Sequence, residues 1–187
     1  MKKQLNQFLE KFDDSTAKIE LEESYDMDFL EGNIKFSYYD YIDNKDCYID
    51  LVRINFIVIN SNDMDDIHDI ADSVSGELEF TVSAYKRYCS NIASFGSVAI
   101  LEDFHFYDSI DDNISKIGAI KYFLSRTMEL FQTIGIGTLL FMSRVLLNDI
   151  KDIERVELIN ELLKIKAIPV YQNSYDVVLA RNLEYII

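Results

Sequence analysis

The chain has 187 residues, 49% of them hydrophobic and 27% charged, with 33 acidic against 18 basic side chains and a formal net charge of −15. That length supports one sizeable core, able to bury roughly 70% of the surface the unfolded chain exposes, and the hydrophobic content excludes a disordered chain. A surface this acidic repels phosphate backbones and anionic lipids, so direct binding of nucleic acid or membrane is not expected, whereas basic ligands or partners are accommodated.

The two cysteines, Cys47 and Cys89, form no CxxC pair and no Cys/His cluster, so neither a disulfide framework nor a zinc site is expected. The opening stretch MKKQLNQFLEKFDD lacks the apolar core and small-residue cleavage site of a secretory leader. The longest apolar candidate, from Ile134 to Phe141, is far shorter than the ~18 residues of a membrane span, and the expectation is a cytoplasmic protein.

Six glycines and one proline leave no flexible linker, and residues 1–187 read as a single domain. Residues 1–20 read as an N-terminal helical segment, because Leu5, Phe8, Leu9 and Phe12 recur at helical spacing before Asp13, Asp14 and Ser15. IKFSYYDYI and CYIDLVRINFIVIN, separated by Asp43, Asn44, Lys45 and Asp46, predict an antiparallel hairpin. Asp63 is placed to cap a helix with Ile67, Ile70, Ala71, Val74 and Leu78 on one face, running toward Tyr88 with a break at Gly76. SVAILEDFHFYD predicts a central strand, and after the polar loop 108–115 a helix carries Ile117, Ile120, Phe123, Leu124, Met128 and Phe131. IGIGTLLFM reads as a buried strand and residues 149–166 as a further helix. AIPVYQN fits an edge strand because Pro169 cannot donate to a ladder, Asn173 and Ser174 form a turn, and YDVVLARNL closes the sheet.

The second half thus runs strand, polar loop, helix, apolar strand, helix, strand, turn, strand. Over about residues 50–183 this order resembles the GNAT superfamily of N-acyltransferases. The resemblance implies an α/β fold with a mixed, mostly antiparallel sheet, a splayed central parallel strand pair and flanking helices. It also implies coenzyme A or acetyl-coenzyme A lying across the splayed pair, its pyrophosphate at the N-terminus of the intervening helix, where free N–H groups cradle negative charge. An acyl group would pass to an amine-bearing small molecule or a basic protein. NISKIGA occupies the place of the family's R/Q-x-x-G-x-G/A loop: Gly118 and Ala119 fit its end, while Asn113 stands where Arg or Gln is usual and Ser115 and Lys116 stand near the other glycine. The cofactor-binding residues so implied are Phe104, Phe106, Ser115, Lys116, Ile117, Gly118 and Ala119. A second stretch, QTIGIG at 132–137, matches Q-x-x-G-x-G by letter, but would serve only if a strand preceded it and a helix followed.

Amine acylation needs a base for the attacking nitrogen and an acid for the leaving thiolate. Glu102 and His105 lie on the strand that would face the acyl group, on opposite faces unless a bulge intervenes. The family's usual acid, a tyrosine before a Gly-Phe pair, has no counterpart: Leu163 and Ala167-Ile168 fill those positions. His68 among Asp63, Asp65, Asp66, Asp69 and Asp72 lacks the glycine and terminal glutamate of a calcium loop and reads as a solvated helix face, so no metal is expected. Tyr38, Tyr39, Tyr41 and Tyr48 read as cross-strand packing or as the floor of a ligand groove. The charge, the missing tyrosine and the departures in the loop sustain an alternative: a non-catalytic acidic protein that binds or inhibits a basic or nucleic-acid-binding partner.

Overall fold

A computed structural model describes residues 14–23, 28–42, 45–88, 96–107, 116–147 and 152–183. In chain order these form β1 (Thr16–Glu23), β2 (Phe29–Ile42), β3 (Lys45–Ile59), α1 (Met64–Val74), α2 (Gly76–Tyr88), β4 (Ser97–Phe106), α3 (Lys116–Thr133), β5 (Ile136–Met142), α4 (Ser143–Leu146), α5 (Asp152–Lys164), β6 (Ile168–Gln172) and β7 (Val177–Asn182). The strands make one seven-stranded sheet in the order β1-β2-β3-β4-β5-β7-β6. Every neighbouring pair is antiparallel except β4 with β5, which is parallel. The fold is therefore α/β, a mixed and mostly antiparallel sheet with a central parallel pair, flanked by helices.

Alternation along the strands divides the core in two. Ile34, Phe36, Val52, Ile54, Phe56, Ala99, Leu101, Leu139, Phe141 and Leu179 face α3 and α5, which bring Phe123, Leu124, Phe131, Leu158 and Leu162. Ile57, Ile59, Val98, Ile100, Leu140 and Ala180 face the other way, onto Ile67 and Ala71 of α1 and Leu78, Val82 and Tyr85 of α2. The two helices of this second layer split at Ser75, whose N–H still bonds to Ala71, rather than one residue later at Gly76; Asp63 caps the first of them through the N–H of Asp65, at 2.8 Å. On the first face aromatic rings carry much of the contact: Phe36 lies 4.9 Å from Phe123, and Phe56 lies edge-on 4.7 Å from Phe131. Gly32 permits this packing, because a Cβ there would fall 2.5 Å from the Phe56 ring.

The N-terminal expectation needs correction. Thr16–Glu23 is a strand, paired with β2 from Thr16↔Ser37 to Glu23↔Leu30, so the helical segment does not extend to residue 20. Ala17 and Ile19 pack on the core while Lys18, Glu20 and Glu22 point away, a period of two that overrides the helical reading. Arg126 of α3 fixes the start of this strand by donating to the Ser15 carbonyl at 3.0 Å and to its Oγ at 2.7 Å. The helix expected over 4–12 lies outside the described residues; within them β1 and the short helix α4 are the elements that the sequence pattern did not predict.

In QTIGIG the chain leaves α3 through Gly135, at φ 88°, and enters β5. A helix precedes the motif and a strand follows, the reverse of what a phosphate cradle needs.

Candidate functional site

The parallel pair fixes the centre of the molecule. β4 and β5 pair from Ser97↔Ile136 to Ile100↔Leu140. Beyond that point β4 stays on β3 as far as Phe106 and β5 stays on β7 as far as Met142, with no pairing between β4 and β5 themselves. The strands part into a fork, one side of which is residues 101–106. The short helix α4, continuing directly from β5, rests against β4 in this region and sends Leu146 into the core.

A buried polar knot holds the fork in place. Asp176, only 5% exposed, accepts at Oδ1 from Ser143 Oγ at 2.6 Å and from the N–H groups of Arg144 at 3.2 Å and Val177 at 2.8 Å. Its Oδ2 makes no hydrogen bond but lies 3.2 Å from Arg144 Nε, and the same guanidinium reaches Glu77 of α2 at 2.9 Å. The carboxylate thus stops β5 at Met142 by capping the turn that follows, and ties that turn to β7 and α2. Sequence reasoning missed Asp176, Ser143 and Arg144. A signal was present: an Asp immediately before an apolar strand, where a buried charge needs several donors.

A β-bulge shapes the other side. Asn55 pairs with Asp103 and Phe56 with Leu101, leaving Glu102 without a cross-strand partner. The bulge shifts the alternation, so that Leu101 and Phe104 both face α3, while Asp103 and His105 stand opposite Asn55 and Arg53 on the other face. Glu102 and His105 are both exposed. The Glu102 carboxyl is held above the ordinary glutamate range, first by partial withdrawal from water and then by the carboxylates of Glu31 and Asp103. His105 packs edge-on against Tyr107 at 5.2 Å. Around them Arg53 sits 4.0 Å from Asp103, and Lys35 binds Asp50 at 2.6 Å, which leaves a polar surface of mixed charge beyond the area that α1 and α2 cover.

Because the raised folded-state value disfavours the ionised form, Glu102 costs stability once pH exceeds the unfolded-state value of about 4.3, and the cost is complete above the folded-state value. Glu102→Gln is expected to unfold at a slightly higher urea concentration than the parent at pH 8, with the gap narrowing as pH is lowered toward 5. Its exposure keeps this gain small.

The implied cofactor residues divide between the core and the start of α3. Phe104 is buried, with Phe106 half-buried 5.2 Å away, and both pack in the cluster that also holds Ile117 and Ala119. Lys116 and Gly118 are at the surface of the first turn of α3, and Ser115 lies outside the described residues. Leu163, which the GNAT resemblance would set in place of a tyrosine, is exposed on α5.

Elsewhere, His68 of α1 contacts Glu79 at 3.2 Å and Ser83 at 3.1 Å on α2, a bridge between the two helices. Among the described residues no three His, Cys, Asp or Glu side chains gather in a metal-holding arrangement, and no helix is long and apolar enough to cross a membrane. Comparison of the chain with protein-family models and with curated proteins finds no match to either.

Proposed function

We propose that the chain binds coenzyme A or acetyl-coenzyme A at the β4–β5 fork and, as a cytoplasmic GNAT-like N-acyltransferase, transfers the acyl group to an amine. The observation that carries this reading is the parting of the parallel pair β4–β5 beyond Ile100 and Leu140, with α3 the next described element after β4. The first turn of α3 offers N–H groups and Lys116 to the diphosphate. The acidic group Glu31, Glu102 and Asp103 suits a cationic acceptor, either an amine-bearing small molecule or a basic protein. Glu102, with its raised proton affinity, or His105 takes the proton from the attacking ammonium. The amine nitrogen then forms a bond to the thioester carbonyl carbon, the C–S bond breaks, and the second proton shed by the nitrogen passes through water to the departing thiolate. Thermal unfolding tests the binding step. Acetyl-coenzyme A at 100 times its dissociation constant is expected to add about 2.7 kcal/mol to stability, and no shift at millimolar ligand overturns the reading.

A second reading, a non-catalytic acidic protein acting on a basic or nucleic-acid-binding partner, is favoured by the arm formed by β2 and β3. Pairing with β1 ends at Ser37 and pairing with β4 ends at Val52, and past these points β2 and β3 pair with each other as far as Ile42↔Lys45. The arm exposes Tyr39, Tyr41 and Tyr48 beside Asp40 and Asp46, with Tyr39 edge-on to Tyr48 at 5.9 Å and bonded to Asp46. On this reading a lysine- and arginine-rich peptide binds at low salt, is released at high salt, and binds less to Tyr48→Ser. Absence of binding at low salt overturns it.

A further inference from the structure

We infer that a cavity beside α3 binds a small organic anion with a carboxylate or phosphate head and a short apolar body. The cavity, about 400 Å³, lies between the C-terminal half of α3, the turn from α5 into β6, and the end of β7. Its volume falls in the range of small-molecule sites, roughly 300–1,000 Å³. Met128, Ile165 and Leu183 supply apolar wall. Arg181 and Lys166 supply two cations, in a chain whose net charge is −15.

Neither cation is engaged by a partner among the described residues. Arg181 lies opposite the fully buried Leu139 on the core side of β7, and its Nε is buried with no hydrogen-bond partner among the described residues. An orphaned donor of a charged group is costly, and an anion seated in the cavity would relieve that cost. Lys166 occupies the left-handed position that ends α5, at φ 61°, where glycine is the unstrained choice. Neither cation has an ion pair among the described residues, although Glu129 lines the same cavity. The guanidinium fork and the ammonium can therefore meet a carboxylate or a phosphate. Glu129 is left to accept from a donor on the ligand and to turn away an unsubstituted dianion.

The test uses the full chain and amide NMR shifts. Hexanoate and hexyl phosphate are the anionic probes, and hexanol and hexylammonium are the controls. Saturable shifts at Ser125, Ile165, Lys166 and Leu183 with at least one anion, absent with both controls, support the site, and the anion that binds tighter identifies the preferred head. Arg181→Gln is expected to weaken binding by about ten-fold, the loss of a charge-assisted pair. Lys166→Gly separates recognition from folding, because relief of the strained backbone raises the melting temperature while affinity falls. No saturable shift, equal shifts with hexanol or hexylammonium, or unchanged affinity in both folded variants overturns the inference.

Discussion

Truncation of Phe131 to alanine is expected to lower the free energy of unfolding by about 3–5 kcal/mol. Phe131 is fully buried on α3, and its ring meets that of Phe56 4.7 Å away. The other edge of the Phe56 ring lies over Gly32, close enough that a methyl group there would overlap it. Leu21 closes in from the same side. Removal of a fully buried ring from this packing leaves a cavity that neighbours fill only in part, which sets the cost within that range. Urea denaturation with an unchanged m-value checks this: a shift of the midpoint alone reports lost packing, whereas a loss near 1 kcal/mol shows that the site collapses.

Replacement of Asp176 by alanine is expected to cost about 3 kcal/mol and to alter the fork. The carboxylate accepts from three donors at once, and its removal leaves Ser143 Oγ and the Arg144 N–H to find other acceptors in a buried place, while the Val177 N–H keeps only Ser143 Oγ, at 3.2 Å. The half-exposed Arg144 limits the loss, since its guanidinium can turn to water and keep Glu77. Asp176→Asn retains one acceptor oxygen and is expected to recover roughly half of the stability. Amide exchange distinguishes a local from a global effect: faster exchange confined to residues 141–146 and 177–179 places the damage at the end of β5. If both variants equal the parent in stability, the knot does not hold the turn.

Much of this architecture was legible in the chain. The three- and four-residue spacing of Ile117, Ile120, Phe123, Leu124, Met128 and Phe131 specified α3, and that helix in turn specified β5 as the strand that follows it. Pro169 correctly marked β6 as an outer strand. The failures have physical sources. Thr16–Glu23 alternates over a short stretch adjoining an apolar helical pattern, and its strand character depends on Gly32 and Ile34 of β2 being beside it. The bulge at Glu102 is a property of two strands, visible only when Asn55 and Phe56 are matched to Asp103 and Leu101. Spacing alone left open whether Glu102 and His105 lie on one face, since that depends on a single unpaired residue. The knot at Asp176 is equally non-local, joining residues 33 positions apart.

The outer strands of the sheet bear on how the protein behaves when crowded. β6 interrupts its ladder at Pro169, and β1 carries Lys18, Glu20, Glu22 and Glu23. A like strand approaching either rim meets a missing donor at β6 and a run of exposed charged side chains at β1. Lateral growth of the sheet into ribbons is thereby discouraged, and self-association in concentrated solution is directed to helical surfaces instead.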